Sequence, residues 1–371
     1  MNNKSYEVYF DCGSSKIRAG AFKKNDPKKS ICHESSFFPN HSNIEFEIQK
    51  IISFVEKNTN EYLDDINLMI DSPKMLSIGI SISKKLDGLK LQKEDIHFLI
   101  QDAKQQVLRN YPDQNIVHII IKNYIIDNNK YTLLPDNIKC NIISLDILFI
   151  CLPKKSIEYF KQFFLKLNVS VNKIFCSSYT KSISYKDNFP SIDNLSFIDI
   201  GFDKTSMNCY INNEIIFLDT LPIGGNHITK DISSILKVDL HEAENLKLSF
   251  DTDQKTLNEK KISPDLIQKI IFARTEELLE LSAKSIKLSL DLGGLEQCKI
   301  ILMGEGSKIL DNKFKEKISF SNDIDLLEET IDDICRAGFK LGEGLNRQEV
   351  KVIPKKQTKQ GFFEKLFHFF N

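Results

Sequence analysis

Two apolar segments of the chain each lead into the same short turn motif. Asp11 opens the first, in YEVYFDCGSSKIRAGAF, and Asp199 opens the second, in LSFIDIGFDKTSMNCY. Apolar residues continue beyond both turns, which predicts a strand, a tight turn and a second strand. Gly13 and Gly201 would let the backbone approach a ligand, and the Ser, Thr and Lys residues after them offer hydrogen-bond donors. Two such hairpins could hold the phosphates of a nucleotide between two related domains.

A third glycine motif follows a short apolar strand in KIILMGEGSKI. Its residues Gly304 to Ser307 would let the chain pass under an adenine or ribose with no side chain in the way. A single motif of either kind is usually an ordinary turn. The three motifs together, at matching strand positions, indicate a nucleotide-binding site.

The three motifs resemble the phosphate-1, phosphate-2 and adenosine motifs of the ATPase fold shared by actin and the sugar kinases. The segment TLPIGGNHITKDISSILKVDLHEAENLKLSF is more specific, because it resembles a signature of the bacterial cell division FtsA family. Upstream, HIIIKNYIIDNN is similar to a segment of that family's extra subdomain. The order of motifs fits the chain from Tyr6 to Leu345.

The resemblance implies an α/β, actin-like (ribonuclease H-like) fold of two lobes, with an inserted 1C subdomain of the SHS2 type in place of actin subdomain 1B. A chain of 371 residues is long enough for two lobes. The expected segments are subdomain 1A at 5–83 and 161–198, 1C at 84–160, 2A at 199–225 and 296–345, 2B at 226–295, a flexible linker at 346–360 and an amphipathic helix at 361–371.

The resemblance also implies ATP and Mg²⁺ as ligands. Asp11 and Asp199 would hold the metal, mostly through water, because Mg²⁺ gives up its hydration reluctantly. Glu244 and Lys247 would contact ribose and adenine, although their spacing equally permits a salt pair on one helix face. The predicted nucleotide-binding residues are Asp11, Gly13, Ser14, Ser15, Lys16, Gly201, Lys204, Thr205, Gly225, Glu244, Lys247, Gly304, Gly306 and Ser307.

The sequence departs from the family pattern in three places. Phe202 and Asp203 follow Gly201 where smaller residues are usual, and Glu305 stands where a glycine is common. The segment KIFCSSYTKSISY also lacks the Pro-Ala pair of many relatives. Catalysis of phosphoryl transfer is mostly positioning, and no residue that would orient an attacking water can be named. The expectation is therefore ATP binding with at most weak ATPase activity, and no catalytic residue is assigned.

Composition argues against several other classes of function. The net charge of −1 gives no reason to expect a nucleic-acid partner. The eight cysteines form no CxxC pair, which indicates free thiols in a reducing cytosol, and the histidines show no metal-binding spacing. No apolar stretch reaches the length of about 18 residues that a membrane span requires.

The resemblance also implies which proteins this chain would bind. The helix in IIFARTEELLELSAKSIKLSL carries Arg274, Glu277 and Lys284 at the place where the family receives the C-terminal peptide of the tubulin-like protein FtsZ. The family also implies self-assembly into actin-like filaments and contact with other divisome membrane proteins. These events would occur at midcell, on the cytoplasmic face of the inner membrane. The charges on this helix could instead be an ordinary solvated face.

Two alternative functions remain open at this point. The pilus-assembly protein PilM has the same fold and a similar 1C unit but, in the family picture, no amphipathic tail. A sugar or acyl kinase of the same superfamily would need a catalytic carboxylate in a substrate cleft, which the insertion pattern does not suggest.

The segment GFFEKLFHFFN predicts a short membrane-binding helix. Its apolar residues fall on one helical face, and Lys365 and the linker lysines lie beside them. Such a helix suits the interface of an anionic bilayer, and FtsA-family proteins end in one. Docking of the helix on the protein's own core is the alternative. The apolar residues are Phe362, Phe363, Leu366, Phe367 and Phe370.

Replacing Phe363 and Phe367 together by Glu should release the protein from membranes, because two charges would have to enter the acyl boundary. Co-sedimentation with anionic liposomes measures this, and higher salt should weaken wild-type binding only partly because apolar contacts are not screened. Leu at both positions keeps the apolar face and should preserve binding. If the Glu variant pellets as well as the wild type, the segment is not a membrane anchor.

Overall fold

The structure, a computed structural model, describes residues 4–37, 43–249, 262–290, 298–310, 314, 323–344 and 349–350. Its strands are β1 (Tyr6–Cys12), β2 (Lys16–Lys23), β3 (Asp26–Ser36), β4 (Asp65–Ile70), β5 (Leu76–Lys85), β6 (Gln114–Ile126), β7 (Asn129–Tyr131), β8 (Ile142–Pro153), β9 (Ser170–Cys176), β10 (Leu195–Ile200), β11 (Thr205–Ile211), β12 (Glu214–Leu221), β13 (Lys299–Met303) and β14 (Ile324–Leu326). Its helices are α1 (Ile44–Thr59), α2 (Lys93–Asn110), α3 (Lys154–Lys166), α4 (Ser177–Lys186), α5 (Gly225–Leu236), α6 (Leu240–Ser249), α7 (Pro264–Leu290) and α8 (Ile331–Gly342), with a 3₁₀ turn at Glu305–Ser307.

Two lobes are built on the same plan. The sheet of lobe one has the order β3-β2-β1-β4-β9, and the sheet of lobe two has the order β12-β11-β10-β13-β14. In each sheet the first three strands are antiparallel, and the last two run parallel to the central strand. Strand β10 therefore corresponds to β1, and β13 corresponds to β4. This duplicated α/β arrangement is the one that the sequence predicts.

The central strands β1 and β10 consist largely of buried apolar residues. Residues Val8 to Phe10 of β1 and every residue of β10 are buried, as is usual for strands covered on both faces. Asp11 and Asp199 are the charged exceptions, and each lies near the end of its strand. A buried carboxylate is stable only when polar partners surround it, so these two positions dictate what must pack nearby.

A four-stranded sheet, with the order β5-β8-β6-β7, is inserted into lobe one and carries α2 on it. The inserted sheet begins with β5 at Leu76 and its last strand, β8, ends at Pro153, so both ends lie before the predicted boundaries of 84 and 160. Strand β5 pairs with β8 along its length and so belongs to the inserted sheet. Helix α3 instead packs on the core of lobe one through Ile157 and Phe164.

Two helices join the lobes. Helix α4 follows β9, α8 follows β14, and the two pack against each other. Helix α8 also packs on β1 and β2, where Cys335 and Phe339 enter the core of lobe one. Residues from α4 and from the connection before α8 are thereby brought to the space between the two sheets.

The predicted linker is only partly described. Within it, Val350 N donates to Ile119 O at 2.8 Å, and the Glu349 carboxylate lies 2.6 Å from His118 Nδ1, so this piece of chain binds the edge of β6. The rest of the linker and the predicted helix at 361–371 lie outside the described residues. In the part of the chain that the structure describes, no helix is long and apolar enough to cross a membrane.

Candidate functional site

The two Asp-x-Gly turns share one hydrogen-bonding pattern. Gly13 N donates to Lys16 O at 2.9 Å, and Gly201 N donates to Lys204 O at 2.8 Å. Both turns line the same cavity between the lobes. The structure therefore contains the pair of facing hairpins that the sequence predicts.

Two adjoining cavities lie between the lobes. The first, of about 120 Å³, contains both turns and the carboxylates of Asp11 and Asp199, and is here named the turn cavity. The second, of about 340 Å³, contains residues of α6 and is named the α6 cavity. The residues that line both are Ser15, Lys16, Gly201, Phe202 and Glu305.

All but two of the predicted nucleotide-binding residues line one of these cavities. The turn cavity receives Asp11, Gly13, Ser14, Ser15, Lys16, Gly201, Lys204 and Gly304, and the α6 cavity adds Gly225, Glu244, Lys247 and Gly306. Thr205 and Ser307 line neither. Their hydroxyls donate to the backbone instead, to Ile223 O and Gly304 O, both at 2.8 Å.

Glu244 and Lys247 form the salt pair that their spacing permits. Lys247 Nζ donates to Glu244 Oε2 at 2.7 Å and to Thr229 Oγ1 at 2.9 Å. Burial lowers the pKa of Lys247, and the Glu244 carboxylate opposes that change. Both residues also line the α6 cavity, so their ion pair forms part of the cavity wall.

The third motif requires its first glycine. Gly304 has a φ of 91°, in the region that favours glycine, and a Cβ there would overlap the Asp199 carboxylate. Its N–H donates to Glu329 Oε2 at 2.8 Å. This conformation turns the chain from β13 into the 3₁₀ helix and places Glu305 at the wall of the cleft.

Asp11 is buried with both carboxylate oxygens bound. Oδ2 accepts from Arg18 Nη1 at 2.9 Å, and Oδ1 accepts from Ser177 Oγ at 2.6 Å. Arg18 lies directly opposite Asp11 in the register of β1 and β2, where opposite charges stabilise a strand pair. Burial would lower the pKa of Arg18, but the charges of Asp11 and Glu305 outweigh it and raise the pKa.

Asp199 is held by a lysine from the helix that joins the lobes. Lys181 Nζ lies 2.7 Å from Asp199 Oδ2 and 3.1 Å from Glu329 Oε1. Tyr185 OH also donates to Glu329, at 2.9 Å. Burial would lower the pKa of Lys181, but the two carboxylates raise it above its ordinary value, so the ammonium stays charged at neutral pH.

Two further lysines cross the cleft in opposite directions. Lys16 and Lys204 hold the same position in the two hairpins, five residues after Asp11 and Asp199 respectively. Lys16 Nζ lies 2.9 Å from Glu305 of lobe two, and Lys204 Nζ lies 2.9 Å from Asp71 of lobe one. Asp71 follows β4 and Glu305 follows β13, its counterpart, so the two ion pairs reflect the duplication of the lobes.

These pairs change the pKa values of their acids. Burial opposes ionisation of Glu305, but Arg18, Lys308 and Lys16 lower its pKa to about 2. Burial likewise opposes ionisation of Asp71, and the Lys204 ammonium lowers its pKa. Both acids therefore stay ionised throughout the neutral range.

The residues present do not fit the predicted magnesium ion. Mg²⁺ keeps several waters, and either the ion or one of these waters must reach the carboxylate in place of the cation that now binds it. Both oxygens of Asp11 already accept hydrogen bonds, and Asp199 Oδ2 lies 2.7 Å from the Lys181 ammonium. Over the described ranges, no group of three or more His, Cys, Asp or Glu residues is placed to hold a metal.

Sequence reasoning missed several residues that build this site. Arg18 could have been found, because the register of a hairpin that turns at Gly13 places it opposite Asp11. Lys181 and Glu329 carry no such signal, because they reach the cleft through the packing of α4 and the connection before α8. The missed residues are Arg18, Asp71, Ser177, Lys181 and Glu329.

Comparison with known proteins agrees with the motifs. Residues 196–338 match the family described as cell division protein FtsA. The cell division protein FtsA of Agrobacterium fabrum is 20% identical over 288 residues, which cover 72% of this chain and 63% of that protein. FtsA of Buchnera aphidicola is 23% identical over 358 residues, which cover 85% and 84%. The chain thus spans less than two thirds of the Agrobacterium relative.

Solved structures agree on the fold. The PilM-PilN type IV pilus biogenesis complex contains a chain with a TM-score of 0.61 at 11% identity, covering 89% of this chain and 90% of that one. The ethanolamine utilization protein EutJ of Carboxydothermus hydrogenoformans has a TM-score of 0.50 at 11% identity, covering 90% and 88%. The predicted actin-like fold and the predicted resemblance to FtsA are both confirmed.

Replacing Glu305 by Gln should destabilise the protein at neutral pH, by about 2 kcal/mol, because Lys16 and Arg18 lose an ionised partner. The folded-state pKa of about 2 lies below the unfolded value of about 4.3. The stabilisation is therefore complete above the unfolded pKa and is lost as pH falls towards about 2.

Thermal unfolding of wild type and variant between pH 7 and pH 3 measures this effect. The difference in melting temperature should shrink as the pH is lowered. Glu328→Gln changes the same charge at an exposed neighbouring position and should have little effect at any pH. A difference for Glu305→Gln that does not depend on pH would contradict the assignment.

Proposed function

We propose that the cleft binds an adenine nucleotide, because residues 196–338 match the cell division protein FtsA family and the fold is actin-like. The observation that carries this proposal is the pair of matching turns, at Gly13 and Gly201, on the walls of one cavity. Backbone N–H groups and hydroxyls in such turns can bind phosphate oxygens. ATP would place its phosphates in the turn cavity.

The α6 cavity has the size and lining for the nucleoside part. Its volume of about 340 Å³ lies within the usual range for small-molecule sites, roughly 300–1,000 Å³. Apolar walls come from Phe37, Leu248 and Ile309, and polar groups come from Glu244 and Lys247. Hydrolysis would be slow at most, because the Asp11 and Asp199 carboxylates are bound to Arg18 and Lys181 and are not free to orient water.

Replacing Gly225 by Ala tests the location of the nucleoside. A Cβ there would lie 3.6 Å from Gly201 O and 3.7 Å from Lys247 Nζ, which are ordinary contacts, so the protein should fold normally. The added methyl would stand in the α6 cavity and should weaken ATP binding by about 1–3 kcal/mol.

Isothermal titration calorimetry with ATP measures this change. Gly79→Ala is the matched control, because a Cβ at that position meets nothing within 4 Å and lies in the inserted sheet. Equal ATP affinity in all three proteins would place the nucleoside elsewhere. Absence of ATP binding by the wild type would remove the proposed function.

We further propose that the protein acts in cell division. It would form actin-like filaments at midcell, on the cytoplasmic face of the inner membrane, and anchor FtsZ filaments of the division ring. Support comes from the matched relatives, which are named cell division proteins. The inserted sheet of β5 to β8 would be the 1C subdomain of the SHS2 type and would contact neighbouring subunits or other divisome membrane proteins. The segment 361–371 would bind anionic lipid.

The proposed FtsZ surface lies on α7. Arg274 donates to the Asp231 carboxylate at 2.6 and 2.9 Å, which ties α7 to α5, and also to Glu277 at 2.7 Å. Two of the three predicted partner residues therefore have partners within the chain, while Lys284 is exposed. The stripe with Ile271, Leu278 and Ile286 is buried in lobe two. An incoming peptide would meet the charged face of the helix.

Replacing Lys284 by Glu should weaken binding of an acidic FtsZ C-terminal peptide by about 1 kcal/mol, roughly fivefold in Kd. Fluorescence anisotropy with a labelled peptide measures it. Lys93→Glu makes the same charge change at an exposed position of α2, in the inserted unit, and should leave the affinity unchanged. Equal affinity in the Lys284 variant and the wild type would move the partner surface away from this face of α7.

A function like that of PilM is the second candidate, because the PilM likeness covers nearly the whole chain. The likeness at 11% identity concerns the fold, whereas the family match concerns the sequence itself. Failure to bind both the FtsZ peptide and anionic liposomes would favour the PilM-like function over the one proposed.

A further inference from the structure

The carboxylates at the ends of β1 and β10 both carry cationic side chains of the same protein. Arg18 Nη1 lies 2.9 Å from Asp11, and Lys181 Nζ lies 2.7 Å from Asp199. Each of these four residues is no more than 7% exposed. These are built, buried contacts at the two positions where the sequence predicts a metal ion.

The two cations come from different places in the fold. In the first hairpin, Arg18 stands opposite Asp11 in the strand register. The corresponding residue opposite Asp199 in the second hairpin is Ser206, which is uncharged. Lys181 reaches Asp199 from α4 instead. Both carboxylates are therefore neutralised, although the duplicated hairpin provides a cation for only one of them.

Each of the two carboxylates has a cation beside it without a metal. Arg18 and Lys181 together supply the two positive charges that one Mg²⁺ would bring to Asp11 and Asp199. A divalent ion at the same place would lie beside two buried cations, and like charges repel strongly where the dielectric constant is low. Both cations are also held from a second side, Arg18 by Glu305 and Lys181 by Glu329.

We propose that Arg18 and Lys181 take the place of the divalent metal, so that Asp11 and Asp199 bind no Mg²⁺ and nucleotide binding does not depend on it. The part of this inference that concerns the nucleotide rests on the proposed function. Both side chains line the turn cavity together with Lys16 and Lys204. Guanidinium and ammonium groups donate charge-assisted hydrogen bonds to phosphate oxygens, which is the role that the metal would otherwise have.

The metal claim is tested without nucleotide, by titrating Mn²⁺ into the full-length chain and recording the electron paramagnetic resonance of the free ion. Wild type should bind no Mn²⁺ at the cleft. Arg18→Gln with Lys181→Gln exposes both carboxylates and should bind one Mn²⁺ at least about tenfold more tightly than the wild type. Arg18→Lys with Lys181→Arg keeps both charges and should behave as the wild type.

Circular dichroism establishes whether each variant is folded. If the double Gln variant does not fold, the wild-type titration decides, with Asp11→Asn as its partner. Stoichiometric Mn²⁺ binding by the wild type that disappears in Asp11→Asn would overturn the inference.

The nucleotide claim is tested by calorimetry of ATP binding in Mg²⁺ and in excess EDTA. The two Kd values should agree within about twofold. A loss of about tenfold or more in EDTA would overturn the inference while supporting the proposed function. If ATP binds in neither buffer, the proposed function fails, and the Mn²⁺ titration still decides whether the cations replace the metal.

Discussion

The burial of two carboxylates at the ends of β1 and β10 sets the requirements that the rest of the cleft meets. A charge removed from water must be paired, and the loss of a partner from a buried pair typically costs about 3–5 kcal/mol. Arg18 meets the requirement for Asp11 within a single hairpin. For Asp199 the partner must come from α4, so the way in which α4 packs between the lobes is tied to the electrostatics of the cleft.

The duplication of the fold then explains how the lobes are joined. Each hairpin carries a lysine at the same position, and each lysine binds an acid that follows the corresponding parallel strand of the other lobe. Opening of the cleft would separate Lys16 from Glu305 and Lys204 from Asp71 together. The closed arrangement is therefore stabilised by the chain's own charges, a role that a bound nucleotide and metal could otherwise have.

The sequence predicts those parts of the structure that local chemistry determines. The turns at Gly13, Gly201 and Gly304 are predicted because glycine and strand patterns specify them. The start of the inserted sheet is not predicted, because β5 alternates half-buried and exposed residues, and only its pairing with β8 assigns it to that sheet.

The candidate site likewise contains residues that the sequence predicts and residues that it does not. The residues of the three motifs line the cavities, and Arg18 follows from the hairpin register. Lys181, Glu329 and Asp71 could not be predicted, because each meets its partner only through the packing of separate elements. Their contacts form ion pairs in the cleft where the sequence predicts a metal.

Small-angle X-ray scattering of the purified protein tests most directly whether the cleft is closed by its own ion pairs. The account predicts that protein without nucleotide or metal scatters as the closed structure, and that ATP leaves the radius of gyration unchanged. A ligand-free protein with a larger radius of gyration, which contracts only when ATP and Mg²⁺ are added together, would contradict it.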